Sequence, residues 1–290
     1  MEKENNKQQV VECVSISAEN ENEPLIEDEM ERSKVGIMRA LCDRQDPSTK
    51  EVDDLMIRRF LRARDMDIEK ASALFLKYLA WKKTVLPKGH IPESEIANDL
   101  SHNKVCMQGH DKKGRPILVI VGNRHNPSKG NPEEFKRQSS TTLSHFLRII
   151  IPTSFFFSNL LQCFRAGFVV YTLEKICARM PRGEEKFRAI VDLQGWGYSN
   201  CDIRGYLAAL STLQDCYPER LDKLYFVRAP YIFMTAWKVI YPFVDTNTRK
   251  KIVFVENKKL TPTLLEDIDE AQLPDIYGGK MPLTPIQDSH

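Results

Sequence analysis

From residue 104 onward the chain alternates short apolar runs with helical stretches, and this alternation most constrains the fold. The runs at residues 104–121, 187–193, 223–229 and 251–257 lack a regular polar alternation. That pattern is typical of strands covered on both faces. The first run is divided by a turn at residues 111–116, and helical stretches separate the others. The sequence therefore predicts an α/β lobe with a mixed, largely parallel sheet.

Two helices are predicted before the sheet. Residues 48–51, Ser-Thr-Lys-Glu, have capping-box spacing ahead of a helix in which Met56 and Phe60 form an apolar pair. A second helix starts at Asp67 and is stopped by Leu-Pro-Lys-Gly at residues 86–89. We therefore expect a helical N-terminal module at residues 33–100 and the sheet lobe at residues 101–285. The buried face of the second helix is predicted from helical spacing to comprise Ala71, Leu74, Phe75, Tyr78 and Leu79.

The first 32 residues have a different composition. They are polar, acidic and nearly free of aromatic residues, so they cannot bury enough surface to offset their ordering entropy. We expect a disordered acidic tail at residues 1–32. No apolar signal segment is visible, and the 7 cysteines are never spaced as Cys-x-x-Cys. These features favour a cytoplasmic protein with reduced thiols and no metal site.

Several patterns are candidates for catalytic or nucleotide-binding sites. Gly195 and Gly197 lack the third glycine of a dinucleotide-binding loop, and no nucleophile elbow is present. Asp192, at the end of a predicted strand, is either catalytic or, more simply, a turn carboxylate. The arginine run that includes Arg58 and Arg62 is by default a solvated helix face, and 42 Lys and Arg against 40 Asp and Glu do not indicate nucleic acid. We expect neither an enzyme nor a nucleic-acid-binding protein.

Two apolar segments do not fit a soluble α/β lobe in an obvious way. Residues 138–167 combine runs of Ile and Phe with Arg148, Pro152 and Gln162, which make a poor membrane span. Residues 231–243 are apolar almost all round, with only Thr235 and Lys238 clearly polar before Pro242. Such a helix is either buried in a core or faces something apolar that is not protein. It is too short to cross a bilayer.

Five motifs follow one another along the chain: RFLRARDMDIEKA, DKKGRP, VDLQG, the run from DCYPERLDKLYF to RKKIVFV, and LPDIYGG. By these motifs and their order the chain resembles the CRAL-TRIO lipid-binding family, and within it the phosphatidylinositol-transfer branch in a plant-type version. The resemblance covers roughly residues 35–285 without 138–167. In similar proteins FKR continues directly into FVVYTLEKI as one helix, so residues 138–167 are interpreted as an insertion.

The resemblance implies a hydrophobic lipid cavity closed by a gate helix. The implied head-group residues are Arg64, Glu219, Thr248 and Lys251, whose cations suit a phosphate and whose oxygens suit inositol hydroxyls. No cofactor is implied beyond the bound phospholipid. The implied gate and cavity residues are Tyr231, Phe233, Met234, Trp237, Ile240, Tyr241 and Phe243.

The chain departs from the family pattern at two places. Relatives that carry phosphatidylcholine have small hydroxyl residues after the Asp-Leu-x-Gly turn, whereas this chain has Trp196, Gly197 and Tyr198 before Ser199. Asp65 stands where some relatives have a lysine. The resemblance thus leaves phosphatidylcholine binding open and predicts a weaker basic site.

The expected function is the transfer or presentation of phosphatidylinositol between cytosolic membrane faces by a monomer that binds membranes peripherally, and the binding of other phospholipids is left open. Cations at Arg249, Lys250 and Lys251 are expected to assist docking or to hold phosphate. Two alternatives stay open. One is a carrier of a different hydrophobic ligand such as a sterol, a tocopherol or a retinoid-like molecule. The other is a small-molecule enzyme that uses Asp192.

Overall fold

The structure, a computed structural model, describes residues 28–125 and 160–289, with residues 160–166 described as backbone only. The chain divides into two compact units, Met1–Lys82 and Lys83–His290. The domain limits expected from the sequence, near residues 32 and 100, stay predictions. Most of the expected tail and residues 138–159 of the expected insertion lie outside the described residues.

The first unit is helical. Residues 28–43 form helix α1, followed by α2 (Asp54–Arg62) and α3 (Ile68–Val85). On α3, the five residues expected to be buried are buried, and Phe60 of α2 packs edge-on against Phe75 with ring centroids 5.1 Å apart. The helical period therefore predicted the core of this unit.

The cap of α2 differs from the expectation. Residues Pro47–Glu51 form a 3-10 helix in which Ser48 donates its backbone N–H to Asp46, so Ser48 does not cap α2. Asp53 does, since its Oδ1 accepts from the Met56 N–H at 2.7 Å. A carboxylate next to the helix also complements the positive end of the helix dipole.

Residues 28–32 were expected in the tail but are helical. Glu31 accepts two hydrogen bonds from the guanidinium of Arg62, at 2.6 and 2.8 Å, and Asp28 lies 3.4 Å from Arg58. These partners come from α2, about thirty residues later in the chain. Local composition could not reveal them.

The second unit is built on a five-stranded sheet with strand order β1-β2-β3-β4-β5. The strands are β1 (Val105–His110), β2 (Pro116–Val121), β3 (Phe187–Asp192), β4 (Leu221–Val227) and β5 (Ile252–Phe254). β1 and β2 form an antiparallel hairpin, and the other neighbours are parallel. The predicted mixed, largely parallel sheet is confirmed, with β5 shorter than its apolar run.

Six helices of this unit are described. They are α4 (Ala97–Ser101), α5 (Leu160–Ala178), α6 (Ile203–Cys216), α7 (Phe233–Ile240), α8 (Thr246–Lys250) and α9 (Leu260–Asp267). The last eight residues of the expected insertion, 160–167, belong to α5. Among the described residues, no helix combines the length and apolarity that a membrane crossing requires.

The two faces of the sheet are packed differently. On the first face Ile190, Tyr225 and Val227 join Leu264 of α9 and Tyr277 in a core of buried side chains. Because strand residues alternate between faces, Leu224 and Phe226 point to the opposite face, which α6 and α7 cover. No residue of α6 is fully buried.

A buried network of charges borders the first face. Arg188 of β3 donates to Asp267 at 2.7 Å and lies 2.8 Å from Asp111 and 3.0 Å from Asp222. Arg115 pairs with Asp111 at 2.7 Å and also with Asp222. The carboxylates and guanidiniums satisfy one another, which buried charges require.

The pKa of Asp267 reflects its contacts in this network. Partial burial acts to raise its pKa, but hydrogen bonds from Arg188, Lys223 and Tyr225 outweigh it and hold the pKa well below the usual value. The folded state therefore keeps Asp267 ionised at pH values where the unfolded chain takes up a proton. This contribution to stability is complete above about pH 5 and is lost as the pH falls toward the folded pKa.

We predict that Asp267→Asn lowers the free energy of unfolding at pH 7 by about 2–3 kcal/mol, because it leaves Arg188 and Lys223 short of a carboxylate. The variant should also lose part of the decrease in stability between pH 5 and pH 2. Urea denaturation at several pH values measures both effects. Asp269→Asn, two residues away on an exposed side chain, is the control. Equal stability of the two variants would contradict the prediction.

Candidate functional site

A small cluster of charges lies at the amino ends of the parallel strands. The Lys251 Nζ donates to Glu219 Oε2 at 3.0 Å, and the Lys186 Nζ is 3.9 Å from the same oxygen. These three residues precede β5, β4 and β3, and parallel strands begin at the same edge of a sheet. The Lys251 and Glu219 side chains are only 19% and 18% exposed, so the pair is largely sheltered from water.

Thr248 lies beside this pair. It sits on α8, whose N-cap Asp245 accepts the Thr248 N–H at 2.8 Å, and its own carbonyl accepts from the Lys251 N–H at 3.0 Å. The hydroxyl-bearing residue is thus one turn before the lysine. Of the four head-group residues expected from the sequence, Glu219 and Lys251 are brought together by their ion pair, and Thr248 is joined to Lys251 through the backbone.

Lys186 was not expected near Glu219 from the sequence. It immediately precedes a strand that the sequence did predict, and aligning the amino ends of the parallel strands places it next to Glu219. Glu219 also has a positive φ of 57°. A non-glycine residue rarely adopts this conformation, and here it belongs to the turn that leads into β4.

Arg64, the fourth expected residue, belongs to the first unit. It follows α2, and its Nη1 donates to the Ala63 carbonyl at 2.7 Å. The next two residues, Asp65 and Met66, both have positive φ, and the Lys34 ammonium donates to the Met66 carbonyl at 3.0 Å. The participation of Arg64 in one site with Lys251 stays a prediction.

Helix α7 presents one buried and one exposed side. Phe233, Ala236 and Ile240 are buried at helical spacing, whereas Thr235 and Lys238 are exposed. Of the other expected gate residues, Met234, Trp237 and Phe243 are half-buried, Tyr241 is exposed, and Tyr231 is 92% exposed. The segment is therefore amphipathic in its surroundings although its sequence is nearly all apolar.

An aromatic cluster holds α7 on the second face of the sheet. The Phe226 ring lies 5.2 Å from Phe233, 5.4 Å from Trp237 and 4.9 Å from Phe254. Trp196 meets Phe233 edge-on at 5.3 Å. Phe254 is nevertheless 39% exposed, so the cluster is not sealed.

Beyond this cluster the second face is incompletely filled. Leu224 of β4 and Ile252 of β5 point toward it and are only half-buried. Along α6, Leu207, Leu210 and Leu213 are half-buried as well. Close packing is the norm in protein interiors, so half-buried apolar side chains on the inward-facing strands β4 and β5 and along α6 are unusual.

Cations and tyrosines surround the outer end of α7. The Arg249 guanidinium stacks on the Tyr241 ring at 4.3 Å and donates to the Tyr241 carbonyl at 3.2 Å. Lys238 and Lys250 are exposed. Tyrosine and the long basic side chains are types that suit the boundary between an apolar medium and water.

Trp196 lies where the sequence departs from the family pattern. It is buried, packs on Phe233, and donates its indole N–H to the Tyr206 hydroxyl at 3.1 Å. Tyr206 in turn donates to the Asn200 carbonyl at 2.6 Å, and burial raises the pKa of Tyr206 to about 12. The tryptophan therefore links the loop after β3 to α6 and α7.

Asp192, the alternative catalytic residue, is buried and already engaged. Its Oδ1 accepts from the Gln194 N–H at 3.0 Å, its Oδ2 accepts from the Tyr277 hydroxyl at 3.1 Å, and the Arg228 guanidinium is 3.7 Å away. These contacts match the turn carboxylate that was the simpler interpretation.

Comparisons with known proteins identify relatives of this arrangement. The family model described as CRAL/TRIO domain matches residues 100–279. Phosphatidylinositol/phosphatidylcholine transfer protein SFH13 of Arabidopsis thaliana is 30% identical over 266 residues, which cover 88% of this chain and 39% of that protein. SEC14 cytosolic factor of Kluyveromyces lactis is 27% identical over 238 residues, which cover 80% and 72%.

Protein real-time of Drosophila pseudoobscura pseudoobscura is 27% identical over 257 residues, covering 86% of this chain and 35% of that protein. The chain thus spans less than half the length of several of these relatives. The crystal structure of Sfh5 matches with a TM-score of 0.53 and 16% identity, covering 91% of this chain and 89% of that one. This likeness concerns the fold.

The reactivity of Cys201 tests how well the side chains packed against α7 exclude water. Burial, with a further contribution from the Asp202 charge, raises its pKa to about 12. Only the thiolate reacts with alkylating reagents, so at pH 8 we predict alkylation on the order of a thousandfold slower than for an ordinary thiol. The rate should still rise through pH 10, where an ordinary thiol has levelled off.

Peptide mapping by mass spectrometry after timed alkylation measures the rate at Cys201, with the protein in urea as the reference. A rate at pH 8 equal to that of the unfolded chain would show that this segment is open to solvent.

Proposed function

Because the chain belongs to the CRAL/TRIO domain family, we propose that it binds phosphatidylinositol between the second face of the sheet and helices α6 and α7, and moves it between membranes. The observation that carries the proposal is the row of half-buried apolar side chains on that face, bordered by the Glu219–Lys251 pair. Acyl chains suit the apolar surface, and a charged head group suits the pair. The relatives named as phosphatidylinositol/phosphatidylcholine transfer proteins support this ligand class.

The charges at the amino ends of the strands match a phosphoinositol head group. An ammonium has three donors, and Glu219 occupies one donor of Lys251, so the lysine can bind a phosphate oxygen and keep its partner. Glu219 can accept from ring hydroxyls, and Thr248 can donate to or accept from them. We propose that Arg64 adds a second phosphate contact and Lys186 a further positive charge.

We propose that α7 opens at a membrane surface. Exposing its buried and half-buried apolar side chains to water costs about 5–10 kcal/mol, which is comparable with a domain's whole stability of about 5–15 kcal/mol. Opening into lipid avoids most of that cost. Tyr231, Tyr241 and Lys238 are the exposed groups that would meet the interface first.

Trp196 bears on which phospholipids fit. Its ring is buried against Phe233 at the place where choline-lipid carriers of the family have small hydroxyl residues. A filled position of this kind disfavours a bulky choline group. We propose that the inositol lipid binds more strongly than the choline lipid.

We propose a carrier rather than an enzyme. The side chain of Asp192, the catalytic candidate, is already bonded to Gln194 and Tyr277 and lies near Arg228, which supports the interpretation as a turn carboxylate. The proposed setting is the cytosolic face of membranes, to which a monomer binds peripherally. The relative named SEC14 cytosolic factor supports this location. A carrier of a neutral ligand is the second candidate, because Glu219 and Lys251 neutralise each other beside the apolar face.

Vesicle transfer of labelled phosphatidylinositol tests the proposal and separates the two candidates. Loss of a hydrogen bond to a charged group weakens binding by roughly tenfold or more, so Lys251→Ala and Arg64→Ala should each reduce inositol-lipid transfer by at least that factor. Lys113→Ala, which removes an exposed cation elsewhere, should transfer like the wild type.

Absence of transfer by the wild-type protein would reject the inositol-lipid proposal. Unchanged transfer in both charge variants, together with displacement of the lipid by a sterol or tocopherol, would favour the neutral ligand.

A further inference from the structure

Arg228 occupies an unusual backbone position at the root of α7. β4 ends at Val227 and α7 begins at Phe233, so Arg228 is the first residue after the sheet on the way to the helix. Its φ is 53°, in the left-handed region that residues with a Cβ seldom adopt. The chain turns away from the carboxyl edge of the sheet at this residue.

The Arg228 side chain is attached to parts of the unit other than α7. Its Nη1 donates to the Gln194 Oε1, and its Nη2 donates to the Ile276 carbonyl. Its guanidinium lies 5.1 Å from the Tyr277 ring centroid and 3.7 Å from the Asp192 carboxylate. We call these four contacts the Arg228 latch.

Two of the groups that hold the latch are buried. Asp192 is 4% exposed and Tyr277 is 1% exposed, and they are joined by a 3.1 Å hydrogen bond. Burial, together with the Asp192 charge, raises the pKa of Tyr277 above its ordinary value, so its hydroxyl stays a donor to Asp192 even in alkaline solution. Tyr277 is part of the buried core on the first face of the sheet. The latch therefore connects the root of α7 to that buried core.

The first turn of helix α7 is held by backbone hydrogen bonds and by the buried Phe233, but it has no side-chain cap. Its N-cap residue, Ile232, makes no side-chain cap hydrogen bond, and Tyr231 is 92% exposed. A cavity of about 420 Å³ adjoins the latch and is lined in part by Gln194, Ile276 and Arg228. A guanidinium released from its partners would have room in this cavity and access to water.

We propose that Arg228 is a positioning residue whose side chain holds the root of α7 and so sets how often the helix leaves the second face of the sheet. The inference rests on the proposed role of α7 as a gate. It assigns control of opening to contacts at the carboxyl edge of the sheet, away from the Glu219–Lys251 pair.

Two variants of Arg228 separate the side chain from the backbone. Asparagine tolerates the left-handed conformation, so Arg228→Asn keeps the turn and removes the guanidinium. Arg228→Lys keeps a charge but loses the forked donors. Hydrogen exchange of the amides at residues 231–240 should be about tenfold faster in Arg228→Asn and intermediate in Arg228→Lys, while the amides of β3 and β4 are unchanged.

In the vesicle assay Arg228→Asn should transfer lipid about threefold or more faster, with an unchanged amount of lipid bound, because only the opening step is relieved. A purely structural role would instead lower the bound lipid and the stability. Arg182→Asn replaces an exposed arginine and is the matched control. Gln194→Ala removes one latch partner with Arg228 intact, and it should speed exchange at residues 231–240 less than Arg228→Asn does.

The two proposals fail in different ways. Wild-type exchange at residues 231–240 in both Arg228→Asn and Gln194→Ala would overturn the latch, whether or not lipid is transferred. If exchange is accelerated as expected but the wild type transfers no lipid, the latch is supported and the proposed function is rejected.

Discussion

The alternation of side chains along β4 is the constraint from which the rest of the second unit follows. Tyr225 and Val227 point into a core closed by α9 and the segment around Tyr277, in which buried side chains outnumber the partly buried ones. Leu224 and Phe226 point the other way, to a face that α6 and α7 cover without filling. Strand β4 thus contributes to a buried core on one face of the sheet and to a partly buried layer on the other.

The buried core on the first face of the sheet explains why the side chains on the second face can stay partly exposed. The buried network of Arg188 with Asp111, Asp222 and Asp267, and the core around Tyr277, stabilise the sheet without using the face beneath α7. The aromatic cluster around Phe226 then needs only to hold a short helix in place. The first face of the sheet therefore carries the buried core, whereas the second face is the one to which we assign the ligand, and charged groups lie at both ends of the strands.

The sequence predicted the elements that depend on local periodicity. The apolar runs marked all five strands, and helical spacing marked the buried residues of α3. It did not predict features that depend on distant partners. Glu31 is helical and pairs with Arg62. Lys186 lies near Glu219 because β3 and β4 begin at the same edge of the sheet. Arg228 bonds to Gln194 and Ile276, which are 34 and 48 residues away in the chain. The family resemblance, by contrast, pointed to Glu219 and Lys251, which form an ion pair, and to Thr248, one turn before the lysine; their role as a head-group site stays a prediction.

The central claim is that the incompletely filled face beneath α7 holds a phospholipid with an inositol head group. Mass spectrometry of the organic extract of full-length protein purified from cells tests it most directly. The account predicts phosphatidylinositol in roughly equimolar amount, and a loss of that lipid in Lys251→Ala but not in Lys113→Ala. Protein that is folded and carries no phospholipid, or that carries a neutral lipid unaffected by Lys251→Ala, would contradict it.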